Sequence, residues 1–222
     1  MLLGFDILVN NWELILKALG YSLLVSIASF GIGFLLASAV TVARVFSSFS
    51  IPKWLVRGYV ELFRGTPMLV QLFFIYYASP SIGINLSPLQ ASIISFALNS
   101  AAYQSEYLRA GLLSVPKTQY EAAVSLGLSK WRAVYSIVLP IGLRSSMTSL
   151  SNEFVSLFKY SSIASFVTLP ELFYVTRYLA AGSFRYLEMY SMLAIIYVAM
   201  GFALSKIFRR IERIFYVPGL MD

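Results

Sequence analysis

The sequence predicts an all-α integral membrane protein with five membrane-spanning helices, an external N-terminus and a cytoplasmic C-terminus. Three observations lead to this prediction. Hydrophobic residues make up 59% of the 222 residues and charged residues only 12%, long stretches carry no charge, and basic residues cluster between alternate stretches. Soluble domains carry about 25% charged residues, so lipid must solvate most of this chain. We expect one transmembrane domain over residues 1–222, placed in the cell membrane.

The first three spans follow from two uncharged stretches. A helix needs about 20 mostly apolar residues to cross a bilayer, and residues 18–43 contain no charge. Residues 65–105 are also uncharged, but that stretch is too long for one crossing. Pro80, Gly83 and Pro88 predict a turn within it. The sequence therefore predicts three spans, at 18–43, 54–79 and 89–112.

Two further spans follow toward the C-terminus. The fourth is predicted at 133–158, although Arg144 and Glu153 interrupt its apolar character. The fifth is predicted at 189–205, where an apolar run ends at Lys206. The total of five spans places the two termini on opposite sides of the membrane.

The distribution of basic residues predicts the orientation. Eleven basic residues lie on one side of the predicted spans: Arg44, Lys53, Arg57, Arg109, Lys117, Lys130, Arg132, Lys206, Arg209, Arg210 and Arg213. The other side has only Lys17, Arg177 and Arg185. Because cytoplasmic loops carry the excess of Lys and Arg, the first group is predicted to be cytoplasmic. The net charge of +7 therefore reflects membrane topology, and we expect no nucleic-acid partner.

Several kinds of chemistry are excluded by composition. The chain has no cysteine and no histidine, so the thiolate and imidazole ligands of most transition-metal sites are missing. The sequence also lacks a glycine-rich phosphate loop followed by Lys and Ser or Thr. We expect no metal site, no catalytic residue and no cofactor bound by this chain. A secondary transporter driven by an ion gradient stays open as an alternative, although such folds often contain internal repeats and none is evident here.

The connection at residues 116–131 contains a short helix with small side chains, so another protein can approach its backbone closely. Gln119 to Leu126 can form two helical turns, and Gly127 suits the left-handed position that ends a helix. Ser129 can then cap a second helix, and Pro140 should bend the span that follows. The pattern consists of Glu121, Ala122, Ala123, Gly127, Ile137, Leu139 and Pro140.

This spacing resembles the EAA loop of ATP-binding-cassette (ABC) importer permeases. The run Phe63-Arg64-Gly65-Thr66-Pro67 and the segment Asn99-Ser100-Ala101-Ala102 narrow the resemblance to permeases for polar amino acids and opines, of the histidine, glutamine and arginine type. The family implies a type I importer fold in which the loop is a cytoplasmic coupling helix. Glu121, Ala122, Ala123 and Gly127 would contact a separate ATPase.

The resemblance also implies the partners. Two permease subunits, identical or related, would form the pore in a prokaryotic inner membrane, surrounded by lipid. Two ATPase subunits would bind ATP and Mg²⁺, and a soluble binding protein would deliver the substrate. The chain departs from the family pattern at Thr118, Ile141, Thr148 and Tyr160, where glycine, glutamine, proline and aspartate are usual. These departures leave open which amino acid is carried.

A candidate substrate site lies in the fourth predicted span. Asn152, Glu153 and Ser156 fall within about one helical turn near its middle, where polar groups are costly and often functional. Asn152 and Glu153 could accept hydrogen bonds from a substrate ammonium group. Hydrogen bonding between helices or an ion pair between Glu153 and Arg144 would explain the same residues without a substrate.

Overall fold

The computed structural model describes residues 5–45 and 53–215, and every regular element within those ranges is helical. Short 3-10 turns at Ser79–Ile82 and Ser161–Val167 and one π-helical turn at Val134–Val138 connect the α-helices. The α-helices are α1 Phe5–Asn10, α2 Trp12–Val45, α3 Lys53–Gly65, α4 Met68–Ala78, α5 Pro88–Leu113, α6 Lys117–Ser125, α7 Lys130–Ala133, α8 Leu139–Tyr160, α9 Leu172–Ser183 and α10 Tyr186–Phe215.

Helix α5 lies at the centre of the bundle and packs against α2, α3, α4 and α8. It begins at a capping box, in which the side chains of Ser87 and Gln90 each bond the other residue's backbone N–H. Small residues let α2 approach closely: a Cβ at Gly33 would lie 3.2 Å from the carbonyl oxygen of Ala97. The main buried core joins α2, α4, α5 and α8 through Val25, Leu72, Phe96 and Leu157.

The range predicted as the second span, 54–79, contains two helices, with a break at Thr66-Pro67. Pro67 has no N–H, so the carbonyl of Phe63 loses its donor within the helix. Two buried amides replace that donor: Gln71 Nε2 lies 2.8 Å from the Phe63 oxygen and Asn99 Nδ2 lies 2.9 Å from it. The break is therefore stabilised by side chains from α4 and α5.

Helix α9 was not predicted from the sequence. Its N-terminus is capped by Glu171, whose carboxylate accepts hydrogen bonds from the backbone N–H groups of Phe173 (2.9 Å) and Tyr174 (2.7 Å). Glu171 is fully buried and also accepts a 3.3 Å hydrogen bond from the Tyr197 hydroxyl of α10. This carboxylate thus joins α9 to α10.

Within the described residues, two helices are long and apolar enough to cross a membrane, Trp12–Arg44 and Tyr186–Arg213, and a shorter apolar stretch covers Met68–Ile82. Helices α5 and α8 have 26 and 22 residues, so they have the length to span but carry several polar side chains. The all-helical fold agrees with the prediction. The count of five spans and the orientation stay predictions.

Candidate functional site

The predicted loop contains two short helices joined by a tight turn. Helix α6 ends where the N–H groups of Leu126 and Gly127 bond the carbonyls of Ala122 and Val124, both at 3.0 Å. Gly127 has a φ of 88°, so the predicted left-handed conformation is confirmed. Ser129 occupies the position before α7 as expected, but its side chain makes no capping hydrogen bond, which corrects that part of the prediction.

The side chains of the loop are mostly exposed. Glu121, Ala122 and Gly127 are exposed, whereas Ala123 is buried. Large apolar side chains beside them are also exposed: Val124, Leu126, Trp131 and Tyr135, with Leu126 at 82% of its full accessibility. Several large apolar side chains exposed on one short loop are typical of a protein or membrane interaction site.

The chain leaves the loop through the π-helical turn at Val134–Val138. The N–H of Leu139 bonds the carbonyl of Val134, five residues earlier, and Pro140 has no N–H to offer the carbonyl of Ser136. The irregularity expected at Leu139-Pro140 therefore begins one turn earlier. Helix α6 contacts this π-helical turn, so the loop rests on the start of α8.

Helix α8 places the three substrate candidates on two different sides. Asn152 is exposed and Ser156 is partly exposed, while Glu153 is buried at 8% accessibility. The Ser100 hydroxyl of α5 donates a 2.8 Å hydrogen bond to Glu153 Oε1 and accepts one of 2.8 Å from Gln104 Nε2. Glu153 therefore faces α5, and its carboxylate is held inside the helix bundle.

The exposed side of α8 is polar along most of its length. Thr148, Asn152 and Lys159 are exposed, and Ser145 and Ser156 are partly exposed on the same side. Their spacing of three or four residues places them in one stripe. The opposite side of α8 is apolar and buried through Leu150, Phe154 and Leu157. In the described residues no ion pair joins Glu153 to Arg144.

The charges at the loop end of the bundle form two different arrangements. Glu106 bonds both Arg44 of α2 and Arg109 of its own helix, with Arg109 Nη2 at 2.7 Å from Glu106 Oε2; Glu106 and Arg109 lie three residues apart and so share one helical face. In α3, Glu61 and Arg64 have the same spacing of three residues, but within the described residues they form no ion pair. Glu61 instead lies 4.0 Å from Arg57, and Arg64 lies over the ring of Tyr103 at 5.3 Å.

Two groups of residues that matter here were not assigned roles from the sequence. The first is the amide pair Gln71 and Asn99. The sequence signal for this pair is Pro67, which leaves the carbonyl of Phe63 without its donor in the helix. The second is a pair of glycines, Gly111 of α5 and Gly142 of α8. Each lies where the two backbones touch, and the sequence offers no periodic signal for such a contact.

The chain thus combines two apolar helices of membrane-spanning length with a polar exposed helix face and a loop of exposed apolar side chains. A family model described as "Binding-protein-dependent transport system inner membrane component" matches residues 16–215. The chain belongs to this family, and it is therefore a permease subunit of an ABC importer.

Named permease proteins align with nearly the whole chain. The chain is 37% identical over 203 residues to the probable amino-acid ABC transporter permease protein YckA of Bacillus subtilis, covering 91% of this chain and 89% of YckA. It is 37% identical over 203 residues to the L-cystine transport system permease protein TcyB of the same organism, covering 91% and 86%. It is 32% identical over 202 residues to the glutamine transport system permease protein GlnP of Escherichia coli, covering 90% and 92%.

Solved structures give the same result. A chain from a crystal structure of an amino acid ABC transporter with histidines superposes with a TM-score of 0.87 at 32% identity, covering 94% of this chain and 97% of that one. A chain of the MetNI methionine ABC transporter, in an inward-facing conformation, gives a TM-score of 0.78 at 19% identity, covering 93% and 98%. That second likeness shows the fold alone. These relatives give no support to the ion-gradient alternative.

Proposed function

We propose that this chain forms half of the translocation pore of an ATP-driven importer of polar amino acids. The observation that carries the proposal is the exposed polar stripe of α8, in a chain whose named relatives are amino-acid permeases. A polar face at membrane depth is costly against lipid and is favourable against a hydrated pathway. The second half would come from another copy of this chain or from a related permease, whose stripe would face this one.

The topology that we propose has five spans. Helices α2, α5, α8 and α10 would each cross the membrane, and the broken pair α3–α4 would form the remaining crossing. The N-terminus would be outside and the C-terminus in the prokaryotic cytoplasm, because the eleven basic residues named above would then face inward. The loop of α6 and α7 would lie on the cytoplasmic side, where ATP is available.

The loop is the proposed contact for the ATPase subunit. Ala122 and Gly127 have little or no side chain, so a partner backbone can approach, and burial of the exposed Leu126 side chain against the partner would favour docking. Glu121 can pair with a basic residue of the ATPase. ATP and Mg²⁺ would bind to that partner, and closure of two ATPases around ATP would move both loops and switch the pore from outward to inward access.

The proposed substrate contact is the part of the stripe around Asn152. The carbonyl of Asn152 and the hydroxyl of Ser156 can accept hydrogen bonds from a substrate ammonium group. Glu153 would act from behind this surface, since Ser100 holds its carboxylate inside the bundle next to Asn152. Lys159, exposed on the same stripe, is placed to attract a substrate carboxylate. A soluble binding protein would release the amino acid at the outer end.

Reconstitution tests the proposal. The permease would be purified with the ATPase and binding protein encoded beside it and placed in liposomes, and uptake of labelled amino acids would be measured. We expect uptake that requires ATP and the binding protein and that falls in the Asn152→Ala variant. Uptake that continues without ATP and follows a proton or sodium gradient would overturn the proposal.

A further inference from the structure

The two helices that enter and leave the loop touch each other at its base. A Cβ atom built on Gly111 would lie 2.0 Å from Ser146 Oγ and 2.4 Å from the carbonyl oxygen of Gly142. A Cβ on Gly142 would lie 2.7 Å from Leu112 Cδ2 and 3.0 Å from Leu112 Cα. The only described glycines with positive φ are Gly83 and Gly127, so both crossing positions need glycine for its small size.

Hydrogen bonds hold the same crossing. The Ser146 hydroxyl lies 3.0 Å from the carbonyl oxygen of Tyr107 on α5 and 2.8 Å from that of Gly142 on its own helix. The Ser114 hydroxyl, just after α5, donates a 2.8 Å hydrogen bond to the carbonyl of Gly111. Ser146 is buried, so water does not compete for its hydroxyl. The crossing is therefore close-packed, and the Ser146 hydroxyl provides a hydrogen bond from α8 to the Tyr107 carbonyl of α5.

Within residues 5–45 and 53–215, the loop is joined to the bundle mainly through the crossing of α5 and α8. The chain passes from the crossing on α5 through α6, the turn at Gly127 and α7, and returns to the crossing on α8. Helix α6 rests on the π-helical turn that leads into α8, and Ala123 and Ala133 are buried in this region. A force applied to the loop must reach the rest of the bundle through this junction, within the described residues.

We propose that Gly111 and Gly142 are positioning residues for coupling: they lock α5 to α8 so that the loop and both helices move as one body when the ATPase moves. This inference rests on the proposed function of the loop. Close-packed interiors transmit displacement because they deform little, whereas a junction forced apart by added methyl groups lets the loop move without the helices. Ordinary helix packing is the competing explanation, and it predicts lower stability with unchanged coupling.

The test compares alanine variants at the crossing with matched controls. Gly31 in α2 and Gly58 in α3 are helical glycines whose added Cβ would meet nothing within 4 Å. In proteoliposomes we expect Gly111→Ala to lose uptake by about tenfold or more while ATP hydrolysis continues, because the added methyl group forces the close contact between α5 and α8 apart. Gly142→Ala should lose less, because its closest contact is the flexible side chain of Leu112 and its backbone contacts are no shorter than 3.0 Å, against 2.4 Å at Gly111. Gly31→Ala and Gly58→Ala should keep the wild-type ratio of ATP hydrolysed to amino acid imported.

If uptake and hydrolysis fall together in the crossing variants, with the ratio unchanged, the residues serve stability alone and the inference is wrong. A second measurement avoids variants that fail to fold. The chain has no cysteine, so spin labels can be placed on the exposed residues Thr118 of α6 and Tyr160 at the end of α8, with the labelled chain diluted into unlabelled protein. The distance between them should be the same with and without trapped ATP, and a change beyond its distribution width would overturn the inference. Failure of the proposed function is separable, since wild-type protein would then show no ATP-driven uptake.

Discussion

The break between α3 and α4 gives a prediction whose size follows from its hydrogen bonds. Asn99 Nδ2 donates to the Phe63 carbonyl at 2.9 Å and to Gln71 Oε1 at 2.9 Å, and Asn99 is 5% exposed. Asn99→Leu keeps the approximate volume but removes both bonds. Two bonds contribute about 1 kcal/mol each, and the buried Gln71 oxygen left without a donor adds roughly 1–3 kcal/mol. We expect a loss of about 3–5 kcal/mol in the free energy of unfolding.

The assay is unfolding of the purified permease by SDS titration in mixed micelles. Ser92→Ala is the matched control, because Ser92 is buried in the same helix but its hydroxyl bonds only the Pro88 carbonyl of that helix, at 2.7 Å. The control should lose less than about 1 kcal/mol. Equal losses in the two variants would refute the argument that the amides of Asn99 and Gln71 stabilise the break.

Three further predictions concern acidic side chains. Glu171→Ala should lower the free energy of unfolding by about 1–2 kcal/mol, as expected for loss of a helix cap, and Glu171→Gln should lower it by less. The same SDS titration measures both losses, and equal stability of the wild type and the two variants would contradict the prediction. Glu121→Lys should leave membrane insertion normal and uncouple hydrolysis from uptake in proteoliposomes, so unchanged coupling would count against docking through this residue. Glu153→Gln should weaken amino-acid uptake without loosening ATPase attachment, because glutamine can still accept the Ser100 hydrogen bond; wild-type uptake kinetics for every amino acid tested would rule out a role in the pathway.

Some features of the site could be predicted because they depend on local backbone chemistry. The end of α6 at Gly127 is such a case, since a left-handed residue is needed there and glycine adopts that conformation without strain. The contact between Glu106 and Arg109 also follows from spacing on one helix. A proline removes a backbone donor at Pro67 just as it does at Pro140. The span at 54–79, predicted as one continuous helix, is therefore divided at Pro67.

Other features depend on packing between distant parts of the chain. Glu153 and Asn152 are neighbours in sequence, and only the position of α5, with Ser100, decides that Glu153 is buried and Asn152 is exposed. The contact of Gly111 with Gly142 likewise requires knowing where two helices cross. Helix α9 was missed because Glu171, an uncommon capping residue, replaces the usual Ser, Thr, Asp or Asn at its start.

The central claim is that the loop of α6 and α7 lies in the cytoplasm and is held by an ATPase. A single cysteine introduced by Ala122→Cys in this cysteine-free chain can be treated with a membrane-impermeant maleimide. The account predicts labelling in inside-out vesicles, protection when the ATPase is bound, and no labelling in intact cells. Labelling of intact cells at this position would place the loop outside and contradict the account.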